Sequence, residues 1–77
     1  MAHIHRAFVE EVGNSVLNEE NNCEDAVNGI AYEAYCLRNG STPFSQLEHD
    51  ELDEFLREAR RFVKKNGRFY NIEWEEF

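Results

Sequence analysis

Leu52-Asp53-Glu54-Phe55-Leu56-Arg57-Glu58-Ala59-Arg60-Arg61-Phe62-Val63 is the stretch that decides the fold. Its apolar residues recur at steps of three and four, and every residue between them is charged. That is the period of an α-helix with one buried face and one solvated face. Upstream, Ser45 and Glu48 have the spacing of a capping box, and Pro43 disfavours a helical Thr42. Downstream, Gly67 follows Asn66 as a stop. The spacing therefore predicts a helix over residues 46–66, preceded by a linker at Ser41-Thr42-Pro43-Phe44, with His49 one turn inside it.

Two further helices are legible before it. Asn22 is a good N-cap, Glu24 and Asp25 suit the positive end of a helix dipole, and Asn39-Gly40 supplies a terminator. Between them Cys23, Val27, Ile30, Ala31, Ala34 and Leu37 form one face of a helix over 23–38, with Tyr35 on its flank. Gly29, Tyr32 and Cys36 share the opposite side, which suggests burial on two sides, by helix one and the tail or by another molecule. In the first segment Ile4, Phe8, Val12 and Val16 recur every fourth residue with Val9 beside them, giving a helix over 3–17. Gly13 interrupts it at a cost of up to about 1 kcal/mol relative to alanine, and so marks close packing or a bend.

From Arg68 to Phe77 the period changes to two, with Tyr70, Ile72 and Trp74 alternating against Phe69, Asn71 and Glu73. The expected fold is all-α: one domain over residues 1–77, a compact three-helix bundle with an extended aromatic C-terminal tail. The alternative is α+β, with that tail as a short strand paired to its counterpart in a dimer. The expected core is Phe8, Val12, Val27, Ile30, Leu52, Phe55, Leu56 and Phe62.

Catalytic and metal chemistry find little support. His3 and His5 lie two residues apart, about 200° around a helix, so they do not face one ion. A partly buried His5 and a solvated His3 are expected instead. His49 lacks both a nucleophile motif and an orienting partner, and a chain of 77 residues leaves little room for a pocket. No enzyme activity, cofactor or metal is expected. Cys23 and Cys36 are separated by about 20 Å of helical rise, too far for a disulfide, so both thiols should be free. The opening Met1-Ala2-His3-Ile4-His5-Arg6 has no apolar run, and nothing approaches a membrane span, so a cytoplasmic protein without membrane attachment is expected.

Charge is the main functional signal. Residues 1–56 hold twelve acids and two bases, a local balance of −10, whereas residues 57–77 hold six bases and four acids, a balance of +2. The overall −8 opposes attachment to nucleic acid or anionic lipid. Arg57, Arg60, Arg61, Lys64 and Lys65 form an exposed basic strip, and with it the reading of a small transcriptional regulator, but a DNA reader is normally basic overall. Clustered carboxylates can instead imitate the field of a phosphate backbone. Size, charge and the lack of catalytic motifs resemble, in general outline only, the small acidic inhibitors and regulators encoded by phages and mobile elements.

The function expected is therefore a non-enzymatic inhibitor or regulator. It would occupy a basic surface of a protein partner such as a nucleic-acid-handling machine. The residues expected to meet the partner are Glu19, Glu20, Glu24, Asp25, Asp50 and Glu51 as steering charges, and Tyr32, Tyr70 and Trp74 as aromatic anchors. A homodimeric assembly module is the alternative.

Phe55 sits at the centre of the deciding stripe, so Phe55→Ala is expected to cost about 3–5 kcal/mol, most of the stability of a domain this small. Chemical denaturation followed by circular dichroism measures the loss.

Overall fold

The computed structural model describes residues 4–20 and 22–66. His3, Gly67 and the aromatic tail with Tyr70 and Trp74 lie outside them. Three α-helices account for most of the described chain: α1 (Ile4–Glu19), α2 (Cys23–Asn39) and α3 (His49–Asn66), with a 3-10 turn at Phe44–Gln46 between the last two. All three pairs of helices are in contact, and there is no strand among the described residues. The fold is the expected all-α three-helix bundle.

The order of contacts gives the topology. His5 meets Glu51 near the starts of α1 and α3, and Gly13 meets Phe62 further along both, so these helices run in the same direction. Helix α2 returns between them. Its Gly29 faces Val16 of α1, and its C-terminal Arg38 reaches Glu51 at the start of α3.

Local chemistry sets most boundaries. The Asn22 side chain accepts the N–H groups of Glu24 and Asp25 at 2.8 and 3.1 Å, so α2 begins as its sequence predicts. It ends at Gly40, which has φ 87° and donates its N–H to Cys36 O at 2.7 Å. That backbone angle is one that residues with a Cβ rarely adopt.

Helix α3 departs from expectation. It starts at His49 rather than 46, so His49 is its exposed first residue, and Ser45 falls in the 3-10 turn, which has no side-chain cap. The reason is Leu47. Its side chain is buried and its backbone is extended (φ −67°, ψ 141°), so a helix cannot run through it. In place of a capping box, the N–H of Glu48 is donated to the Tyr35 hydroxyl at 2.8 Å, a cap supplied by another helix.

The core contains Val9, Val16 and Leu17 from α1, Ala26, Val27, Ile30, Ala31, Ala34 and Tyr35 from α2, and Phe55, Ala59 and Val63 from α3. Phe8, Val12, Leu52, Leu56 and Phe62 are only partly buried around it, although the stripe placed them in the core. Two assignments on α2 exchange places. Tyr35, expected on the flank, is buried, because its hydroxyl has a partner in Glu48. Leu37, expected in the core, is 46% exposed, because Ala34 and Tyr35 are the last buried residues of α2 and Leu37 projects beyond them.

Gly13 resolves in favour of close packing. A Cβ built there would lie 2.3 Å from Cε1 of Phe62, so the ring of Phe62 sits directly against the α1 backbone. At Gly29 the corresponding approach is 3.2 Å, to a methyl of Val16. Alanine at either site gains up to about 1 kcal/mol of helix propensity, while overpacking costs about 1–3 kcal/mol. Gly13→Ala is therefore expected to destabilise by about 1–2 kcal/mol and Gly29→Ala to stay within about 0.5 kcal/mol of the parent. Urea melts of the two variants provide the comparison, and equal effects would contradict the packing assigned to Phe62.

Candidate functional site

The carboxylates singled out in the sequence separate into two groups. Glu19 and Glu20 close α1, and Glu24 and Asp25 open α2, so these four surround one corner of the bundle. Asp50 and Glu51 belong to the first turn of α3 at the other end. The 16 residues of α1 put about 24 Å between the two ends, so the structure does not bring the six acids together.

Glu51 differs from the rest. Its side chain is only 19% exposed, and it is shared between Nε2 of His5, at 3.3 Å, and the guanidinium of Arg38. One carboxylate thus ties α1, α2 and α3 together, and it is not free to meet a partner as the sequence suggested. His5 is half-buried, as expected from its place on the apolar stripe, and its ring makes a T-shaped contact with Phe55 at 4.7 Å between centroids. Asp50 is exposed, as are Glu48 and Asp53 beside it.

Thirteen acids lie in the described residues. Glu10, Glu51, Glu54 and Glu58 form salt bridges, and the other nine pair with no base among the described residues. Eight of those nine are exposed, with Glu20 half-buried. Glu54 and Glu58 take up Arg57 and Arg61, which offsets part of the basic strip on α3.

Tyr32 is half-buried and engaged within the chain. Its hydroxyl donates to Thr42 O at 2.9 Å, and its ring stacks with Phe44 at 6.0 Å and 27°. The neighbouring Cys36 thiol, and then burial, hold its phenol above the usual tyrosine range. The second face of α2 is therefore partly covered from within, by Val16 of α1 against Gly29 and by the linker against Tyr32. Both thiols are free, Cys23 buried and Cys36 half-buried.

The linker carries a residue that the sequence reading passed over. Phe44 is 75% exposed, the most exposed of the large apolar side chains described. Tyr32 and Tyr35 fix the chain on either side of it, through Thr42 and Glu48. Its signal in the sequence was an aromatic after Pro43 with no helical stripe to bury it.

A shallow cleft of about 280 Å³ also runs between α1 and α3, over Val9 and Phe62. It is bordered by Arg6 and Glu10, which pair along α1, and by Glu58 and Arg61, which pair along α3. Among the described residues no three His, Cys, Asp or Glu side chains are grouped to hold a metal, and no helix is long and apolar enough to cross a membrane.

The two neighbouring acids of α3 should respond differently to charge reversal. Asp50→Lys loses only a favourable charge at the positive end of the α3 dipole and is expected to cost about 0.5–1 kcal/mol. Glu51→Lys removes the acceptor that His5 and Arg38 share and sets an ammonium against the Arg38 guanidinium, and is expected to cost about 2–3 kcal/mol. Thermal melts at neutral pH compare the variants.

Comparison of this chain with protein-family models, curated proteins and solved structures finds no match.

Proposed function

We propose that this chain is a non-enzymatic acidic binding protein, an inhibitor or regulator that occupies a basic surface of a protein partner. A nucleic-acid-handling machine is the kind of protein that offers such a surface. The observation that carries the reading is the set of nine carboxylates with no described base beside them, all but one exposed. An ordinary solvated surface balances its charges locally. Unbalanced charge of one sign instead projects a field over about a Debye length, roughly 8 Å at physiological salt, and raises the rate of encounter with a surface of opposite sign.

The other functional readings gain less support. A second copy of the chain would bring −8 against −8, which opposes association through polar faces. A regulator that reads DNA through α3 would use a strip in which Arg57 and Arg61 are already paired with Glu54 and Glu58. The proposed role needs no reaction chemistry, and a cytoplasmic partner is compatible with free thiols.

The test is kinetic. Affinity capture from a native lysate supplies the partner, and stopped-flow mixing then measures association at two salt concentrations. Asp50→Lys and the double variant Glu19→Lys/Glu20→Lys are expected to slow association while changing dissociation little. A rate constant indifferent to both salt and charge reversal would remove the electrostatic role and leave the −8 as a solubility device.

A further inference from the structure

We propose that the linker platform made by Phe44 stacked on Tyr32, together with Glu48, Asp50 and Asp53, docks an arginine-bearing segment of a basic protein. The inference rests on the reading of the chain as an acidic binding protein and names the face and the side chain that it would recognise.

A large aromatic side chain at 75% exposure gives up burial that a folded chain normally takes. Phe44 is held there by several separate interactions. Tyr32 stacks on one face of its ring, Tyr32 Oη bonds Thr42 O two residues before it, and Tyr35 Oη accepts Glu48 N–H four residues after it. Leu47 anchors the same segment in the core. The ring is thus presented on a fixed loop with its second face open, and little conformational freedom is left to lose on binding.

The charge that follows Phe44 in the chain selects the occupant. Helix α3 begins five residues after Phe44, and Glu48, Asp50 and Asp53 at its start are exposed and paired with no base among the described residues. An open aromatic face, followed four, six and nine residues along the chain by exposed carboxylates, suits a planar cation. A guanidinium stacks on the ring and directs its N–H groups to carboxylates at the same time, whereas an ammonium is a point charge that keeps its hydration. The same carboxylates repel nucleic acid, and a second copy of the chain brings its own negative charge to the contact.

The experiment titrates hexaarginine and hexalysine peptides into the full chain at low salt, followed by amide and aromatic NMR shifts. The largest perturbations are expected at Tyr32, Phe44, Glu48 and Asp50, with hexaarginine the tighter ligand. Phe44→Ala should retain the helical circular dichroism spectrum, weaken hexaarginine two- to fivefold and bring the two peptides to similar affinity. Phe44→Leu should behave like Phe44→Ala if the ring, rather than apolar area, is what binds. Perturbations confined to the corner of Glu19, Glu20, Glu24 and Asp25 would overturn this inference while leaving an acidic binding protein in place. So would an arginine-to-lysine ratio unchanged in both variants. A dimer in sedimentation that Phe44→Ala dissolves would give the platform to a second copy and overturn the inference. Absence of binding by either peptide would count against this site and the broader reading together.

Discussion

The bundle depends on how Phe55 is enclosed. It has no exposed surface, it stands on α3, and its ring packs against those of His5 from α1 and Tyr35 from α2. Both contacts are T-shaped, the arrangement in which the positive edge of one ring faces the negative face of another. Both neighbours also carry a polar atom that must be satisfied before they can approach. His5 reaches Glu51 with Nε2, and Tyr35 accepts the Glu48 N–H with its hydroxyl. Enclosing one phenylalanine therefore fixes the first turn of α3, the ion pair with Arg38 and the path of the linker as one unit.

The opposite end is held differently. There the approach of helices is set by what is missing, since Gly13 admits the Phe62 ring and Gly29 admits Val16. Small residues let two helix backbones come close without any polar contact to define register. Polar contacts then define register at the α3 start, and bare packing sets the spacing further along. The two devices are complementary, because a 77-residue chain has too little core to rely on burial alone.

Periodicity made the helices readable, and neighbours made the exceptions. Asn22 and Gly40 act on residues within four positions, so their roles follow from the local sequence. Gly13 was visible as either close packing or a bend, and the Phe62 ring against the α1 backbone decides for packing. Tyr35 could not be placed, because its burial depends on Glu48, 13 residues away. Glu51 was hidden for the same reason. It resembles the exposed acids around it until α1 and α2 supply His5 and Arg38. The late start of α3 follows from a competition that the capping pattern does not register, between a helical Leu47 and a buried one. Of the candidate binding residues, the acids at the α1–α2 corner and Asp50 keep the exposure their composition implied, apart from a half-buried Glu20. Tyr32 proved to be the support beneath Phe44 rather than an open anchor.

What a carboxylate does for its own helix separates structural acids from candidates for binding. Asp50 and Glu51 stand at the positive end of α3, and Glu24 and Asp25 at that of α2, so each stabilises its helix whatever else it does. Glu10, Glu54 and Glu58 have bases one turn away. Glu19 and Glu20 have neither justification. They close α1 at its negative end, where the dipole opposes them, and no described base approaches either. Asp53 is past the first turn of α3, where the dipole's influence has faded, and it too lacks a described base. Charge that works against its own helix, or does nothing for it, is accounted for neither by the helix dipole nor by an ion pair. By that criterion Glu19, Glu20 and Asp53, together with Glu11 inside α1 and Glu33 inside α2, are the carboxylates for which the described fold supplies no reason of its own.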